Sequence, residues 1–138
     1  MMDNRRERIA VLIGLPLIVL VFFIVASGHF AYSPDDTYIY LQFAKNLTHG
    51  GGMAFNAGEP TYGFTSPLWL LIITAGGKVG ADLPIAAKGI DLLFASFALL
   101  LFYLLAVELI REVRVALLAT LAFSTNIWLL RWAGSGME

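Results

Sequence analysis

Two adjacent carboxylates, Asp35 and Asp36, follow Ser33-Pro34 just after a long apolar run. Carboxylates in such a position can accept and release protons in a reaction at a membrane surface. They can equally begin a helix, because the helix dipole stabilises a negative charge in the first turn by about 0.3–1 kcal/mol. Adjacent helical residues point about 100° apart, so the two aspartates are not expected to share one task. Spacing alone leaves both roles open.

The other polar residues suggest fewer kinds of chemistry. His29 and His49 lie at opposite ends of a predicted helix and do not have metal-ligand spacing. Lys88 and Asp91, three residues apart, are expected to pair or to snorkel to the interface. Arg131 lies near the end of an apolar run, where it would snorkel or bind a lipid-linked phosphate. The chain has no cysteine, which excludes disulfides and thiol chemistry.

The composition indicates a membrane protein. Hydrophobic residues make up 59% of the chain, charged residues only 14%, and the mean hydropathy is +0.78. Soluble domains carry about 25% charged and about 45–50% apolar residues. The net charge of −1 provides no basic face for nucleic acid, so a nucleic-acid partner is not expected. The expected partners are membrane lipids.

Three apolar runs are long enough to cross a bilayer as helices, at about residues 9–27, 85–110 and 115–132. A cleaved signal peptide is the rival interpretation of the first, because small residues follow it, but its apolar run exceeds the usual signal length of about 7–15 residues. A fourth run, Leu68 to Val79, is shorter and is expected to form an interfacial or re-entrant helix. The sequence thus predicts an all-α membrane protein with about three transmembrane helices.

The arginine clusters predict the topology. Cytoplasmic loops carry the excess of Lys and Arg, and arginines lie both before the first run and between the last two. Both clusters are cytoplasmic if the run from Leu68 to Val79 stays in the outer interface. The N-terminus is then cytoplasmic, and residues 28–84 form an outer loop.

The outer loop is expected to begin with an amphipathic juxtamembrane helix. Ser33 has the position of an N-cap, Pro34 that of the first helical residue, and three glycines after His49 would end the helix. The following residues, 53–67, are rich in turn formers and aromatics, which makes them a candidate binding surface. The apolar face of the helix consists of Tyr40, Phe43, Ala44 and Leu47.

Asp35–Trp69, with the sequence DDTYIYLQFAKNLTHGGGMAFNAGEPTYGFTSPLW, resembles the first outer loop of membrane glycosyltransferases with the GT-C fold. The similarity is greatest to bacterial arabinofuranosyl- and mannosyltransferases. Their loop has an Asp-Asp pair, then Gly-rich, Phe-Asn-x-Gly-Glu and Gly-Tyr/Phe-Thr-Ser/Asn-Pro-Leu-Trp elements. The sequence Ser135-Gly136-Met137-Glu138 resembles the start of their second outer motif, which has a further acidic residue.

This resemblance implies that a sugar moves from a polyprenyl-phosphate donor to a hydroxyl of a glycan, lipid or protein acceptor. Asp36 or Asp35 would be the general base. The other aspartate, with Glu138, would orient groups or hold a divalent cation, the one cofactor that the resemblance allows; Asp36 would be its ligand. The phosphate charge would be neutralised by that cation or by Arg131. The residues expected to contact substrate are Tyr62, Thr65, Ser66 and Arg131.

The resemblance also implies that residues 1–138 are one N-terminal transmembrane portion of a longer enzyme, which stops within the second outer motif and is not active alone. It would lie in the plasma (inner) membrane. The alternative hypothesis is a small non-catalytic multi-pass subunit, or assembly partner, whose outer loop binds another protein.

Overall fold

The computed structural model describes residues 5–137, and in this range the fold is almost entirely helical. The all-α class predicted from the sequence is confirmed, with the addition of one antiparallel hairpin. The described residues form two compact units: a first unit of residues 5–29 and 92–133, and a second unit of residues 30–91 and 134–137. The elements are α1 (Arg5–Ser27), α2 (Asp35–Thr48), β1 (Ala54–Asn56), β2 (Glu59–Pro60), α3 (Pro67–Lys78), α4 (Leu83–Ile110), α5 (Val113–Ser124) and α6 (Ile127–Trp132).

Helices α1 and α4 are long and apolar enough to cross a membrane. They contain 23 and 28 residues, and a bilayer core of about 30 Å requires about 20 helical residues. Only 11% of the most apolar window of α1, and 33% of that of α4, is buried. The core helix of a soluble protein would be mostly buried. In position, these two helices match the first two predicted spans.

The third predicted span, residues 115–132, is divided into two helices. Helix α5 ends at Ser124, and the side chain of Asn126 begins α6 by accepting hydrogen bonds from the N–H groups of Trp128 (2.9 Å) and Leu129 (3.2 Å). An Asn side chain that binds these donors replaces the carbonyls that a continuous helix would supply. The prediction of one unbroken helix is therefore wrong, and a third crossing of the membrane stays a prediction.

The predicted amphipathic helix is present as α2. Its end is also as predicted, because Gly50 has a φ of +80° and the Gly51 N–H binds the Asn46 carbonyl at 2.8 Å. Three of the four predicted apolar residues are buried, and Leu47 is half-buried. The buried core around α2 contains Tyr40, Phe43, Ala44, Trp69, Leu70, Ile73 and Ala87.

The start of α2 differs from the prediction by one residue. Pro34, in an extended conformation, is the N-cap in place of Ser33, and no side chain caps the helix. The Pro34 carbonyl instead accepts the Thr37 N–H at 3.0 Å. The carboxylate of Asp36 is therefore not used as a cap.

Replacing Gly77 by Ala is expected to destabilise the packing of α3 on α2. A Cβ atom at Gly77 would lie 2.7 Å from Leu83 Cδ2 and 2.8 Å from Thr48 Oγ1, too close for either neighbour to stay in place. Overpacking of this kind costs about 1–3 kcal/mol. In α4, Gly89→Ala meets no atom within 4 Å and is expected to be neutral or stabilising. Thermal unfolding in detergent compares the variants; equal melting temperatures would contradict the packing of α3 on α2.

Candidate functional site

A small cavity in the second unit brings together residues that are distant in sequence. Its volume is about 150 Å³, and Asp36, at its edge, is an exposed residue. Two residues predicted to contact substrate or transfer protons, Asp36 and Thr65, therefore line the same space. The complete lining is Asp36, Ile39, Tyr40, Gly63, Phe64, Thr65 and Met137.

Tyr40 holds the loop that forms one wall of the cavity. Its hydroxyl oxygen accepts the backbone N–H groups of Thr65 (3.2 Å) and Ser66 (2.8 Å) and shares a hydrogen bond with Thr65 Oγ1 (3.0 Å). Because Tyr40 is buried in α2, these bonds fix the start of α3 relative to the first turns of α2. Ser66, expected to contact substrate, therefore has its N–H committed to Tyr40.

Aromatic side chains support the same loop. The ring of Phe43 makes edge contacts with Phe64, at 5.0 Å between centroids, and with Phe55, at 5.9 Å. Tyr62 lies next to Phe64, at 6.4 Å between centroids, and is 88% exposed. It is therefore placed on the surface of the loop, and it is not among the cavity-lining residues.

The polar side of α2 binds the β1–β2 hairpin, which the sequence did not predict. The Asn46 side-chain amide donates to the carbonyls of Ala54 and Phe55, at 2.8 Å each, and the Gln42 amide donates to Phe55 at 3.1 Å. Two side-chain amides that lie off the apolar face of α2 thus provide hydrogen-bond donors for the carbonyl groups of β1. The hairpin and the loop at Thr65 and Ser66 are consequently both held by hydrogen bonds to α2.

Met137 lines another side of the cavity, and it directly follows a turn at Ser135 and Gly136. Both turn residues are buried. Thr37 Oγ1 donates to the Ser135 carbonyl at 3.2 Å, and Trp69 Nε1 donates to the Gly136 carbonyl at 3.2 Å. The turn at Ser135 and Gly136 is therefore packed beside the start of α2.

Asp91 binds the same turn from α4, and the predicted pair of Lys88 and Asp91 is wrong. Asp91 Oδ2 accepts the Gly136 N–H at 3.0 Å and the Ser135 hydroxyl at 3.5 Å. Lys88 Nζ donates instead to the carbonyls of Phe30 and Tyr32. Each charged group is satisfied by other partners rather than by its neighbour on α4. A carboxylate within an apolar helix is a functional candidate by default, and this signal was available in the sequence.

Three further residues predicted for the site are not among those that line the cavity. Asp35 is exposed and does not line the cavity. Arg131 is an exposed residue of α6, in the first unit, and Glu138 lies outside the described residues. Within residues 5–137 no group of three or more His, Asp or Glu side chains could hold a metal ion. The divalent cation at Asp36 therefore stays a prediction.

No protein-family model, curated protein or solved structure matches this chain. Within residues 5–137, two helices are long and apolar enough to span a membrane, and Asp36 is among the residues that line a small cavity of the second unit.

Proposed function

We propose that this chain is the N-terminal portion of a GT-C-type membrane glycosyltransferase that uses a polyprenyl-phosphate sugar donor. One observation carries the proposal. Asp36, the segment from Gly63 to Thr65, and Met137 belong to three separate elements of the resembling pattern, and all of them line one cavity. A chance similarity of short motifs would not require that convergence.

In the proposed reaction, Asp36 is the general base. The acceptor hydroxyl attacks the anomeric carbon of the donor sugar, its proton passes to the Asp36 carboxylate, and the bond from that carbon to the phosphate oxygen breaks. The phosphate leaves with the electron pair, and as a competent leaving group it needs charge neutralisation more than protonation. A cationic group beside the phosphate would supply that neutralisation.

The other site residues have supporting roles in this proposal. Thr65 offers a hydroxyl at the cavity, and the exposed ring of Tyr62 offers a face on which a sugar can stack. Ser66 positions the loop through its bond to Tyr40. Asp35 and Glu138 orient the acceptor or the donor.

The proposed protein crosses the plasma (inner) membrane three times, with a cytoplasmic N-terminus and residues 28–84 outside. The lengths of α1 and α4 and the arginines at the start of α1 support the first two crossings. Helices α5 and α6 would together form the third, a broken helix of the kind that membranes accept when neighbouring groups satisfy the break. Asn126 supplies such a group.

Single cysteines test this topology. We expect an impermeant maleimide to label Val79→Cys in intact cells, because Val79 is 84% exposed and lies in the proposed outer loop. Glu7→Cys and Arg114→Cys should be labelled only after permeabilisation. If α3 spanned the membrane instead, Val79 and Arg114 would exchange behaviour, so one experiment separates the two topologies.

The proposed activity is tested in membranes that contain the protein as its native gene encodes it. A panel of labelled polyprenyl-phosphate sugars is added, and transfer to endogenous acceptors is measured. We expect one donor to support transfer that disappears when the gene is deleted. If deletion of the gene does not reduce transfer from any donor, and the protein copurifies with a larger enzyme, the non-catalytic subunit is favoured instead.

A further inference from the structure

We propose that Asp91 is a positioning residue, which holds the Ser135–Gly136 turn so that Met137 closes one side of the Asp36 cavity. This inference rests on the proposed glycosyltransferase function for its catalytic consequence. Its structural part concerns the turn alone. The two parts can therefore fail separately.

A short chain of hydrogen bonds connects the Asp91 carboxylate to Met137. Asp91 Oδ2 accepts from the Gly136 N–H at 3.0 Å and from the Ser135 hydroxyl at 3.5 Å. The oxygen of that hydroxyl in turn accepts the Met137 N–H at 3.2 Å. The carboxylate thus fixes the backbone on both sides of the Gly136 α-carbon, and Met137 follows directly.

Asp91 supplies hydrogen bonds to the turn that Thr37 and Trp69 cannot replace. Thr37 and Trp69 both donate to carbonyl oxygens of the turn, whereas Asp91 accepts from its N–H and O–H groups. Without Asp91, the buried Gly136 N–H would have no acceptor, and an unsatisfied buried donor is costly. The carboxylate is therefore required for a turn in this position.

The turn is packed too closely against α2 to shift without affecting the cavity. A Cβ atom at Gly136 would lie 3.0 Å from Thr37 Cγ2, and the φ of Gly136 is +82°. Thr37 follows Asp36 directly in α2, so the tie from Thr37 to Ser135 is made from the same helical turn as the proposed base. Loosening the turn would change the distance between Met137 and that base.

The carboxyl group of Asp91 makes no hydrogen bond outside the turn among the described residues. Lys88, one turn earlier on α4, donates to Phe30 and Tyr32. A carboxylate in an apolar helix is expensive to keep, and its hydrogen bonds here all go to the turn. Positioning of Ser135 and Gly136 is thus the function that its surroundings support.

Labelling of Met137→Cys tests the turn without depending on activity. Residues 1–138 contain no cysteine, so an added maleimide reports on this position once any cysteine elsewhere in the protein is replaced. In native membranes, Asp91→Ala is expected to increase the labelling rate about 10-fold or more, the factor that corresponds to losing one hydrogen bond to a charged group. Asp91→Asn should keep a rate near that of the parent, because its amide oxygen still accepts from Gly136. Labelling of Val79→Cys should not change in either variant.

Sugar transfer by the same Asp91 variants, with Met137 restored, tests the catalytic consequence. Asp91→Ala is expected to lower the rate about 10-fold, in step with the opening of the turn, and Asp91→Asn to restore it. An unchanged labelling rate of Met137→Cys when Asp91→Ala is added would overturn the proposal. The proposal would also be overturned if Asp91→Asn transferred no sugar but kept slow labelling of Met137→Cys. The carboxylate would then act in sugar transfer itself and not by holding the turn.

Two controls keep these outcomes separate. If Asp91→Ala does not accumulate in the membrane, Ser135→Ala removes the hydroxyl between the carboxylate and Met137 and should also speed labelling. If the unmodified protein transfers no sugar from any donor, the proposed function fails, while the labelling rates still decide whether Asp91 holds the turn.

Discussion

Replacing Asp36 by Asn is expected to lower sugar transfer about 10²- to 10⁴-fold, the usual contribution of a general base. Asn has the shape of Asp but cannot take a proton at catalytic pH. Asp36 is exposed and caps no helix through its side chain, so the substitution removes no buried contact. The protein should therefore keep its level in the membrane and its melting temperature.

Asp35 and Asp82 provide matched controls. Asp35→Asn removes the same charge from the same first turn, but Asp35 does not line the cavity and only orients substrate in the proposal. Its loss of transfer is therefore expected to be clearly smaller than that of Asp36→Asn. Asp82 lies at the start of α4, where its carboxylate accepts the Ile85 N–H at 3.1 Å; Asn can still accept this bond, so Asp82→Asn should be neutral. If these acidic residues only stabilised helix starts, Asp35→Asn, Asp36→Asn and Asp82→Asn would have similar effects on sugar transfer.

The assay is the transfer of labelled sugar in native membranes, with the protein level measured by immunoblot. A large loss in Asp35→Asn, with normal transfer by Asp36→Asn, would move the base by one residue. Normal transfer by both would refute the assignment of a carboxylate base in this pair. Asp36→Glu is informative as well, because it keeps the proton acceptor and moves it by one methylene.

The helical elements around the site could be predicted because their signals are local. The period of Tyr40, Phe43 and Ala44 defines a buried face within two turns, and the glycines after His49 end the helix in sequence as they do in the structure. The exact cap could not be predicted, because Ser33 and Pro34 both fit a helix start and the difference lies in backbone geometry. Local chemistry therefore gave the elements to within about one residue here.

The site itself depends on contacts that no local pattern encodes. Met137 reaches the cavity because Thr37, Trp69 and Asp91 bind the two residues before it, across long stretches of chain. Spacing suggested instead that Asp91 and Lys88, three residues apart, would pair or snorkel to the interface. A buried N–H can compete with a lysine for a carboxylate, and which of them wins is decided by tertiary structure.

The break at Asn126 shows a different limit. Hydropathy favoured one helix over residues 115–132, because a single Asn changes the average of an apolar run very little. Its side chain nevertheless binds two backbone N–H groups and starts a new helix. Capping is a specific hydrogen-bonding event, so composition averaged over a window does not detect it.

Replacing Phe43 by Ala is expected to destabilise the second unit by about 3–5 kcal/mol, the usual cost of truncating a buried Phe. The side chain is 1% exposed and belongs to the core that joins α2 to α3. Its ring also contacts Phe64 and Phe55, so the loop loses support on the side that faces the cavity. Thermal unfolding in detergent measures the change, and Phe43→Leu should lose less because more of the volume is kept.

Tyr38→Ala is the control for Phe43→Ala, since it removes an aromatic ring that is 61% exposed on the same helix. Such surface changes usually stay within about 0.5 kcal/mol. If the loop depends on Phe43, Phe43→Ala should lose sugar transfer and stability together, whereas Asp36→Asn should lose transfer alone. A stable Phe43→Ala variant with normal transfer would contradict the buried contacts at Phe43. A stable Phe43→Ala variant with impaired transfer would show that the ring acts directly on the cavity wall at Phe64. Sugar transfer would then depend on the geometry of the loop and not on the overall stability of the unit.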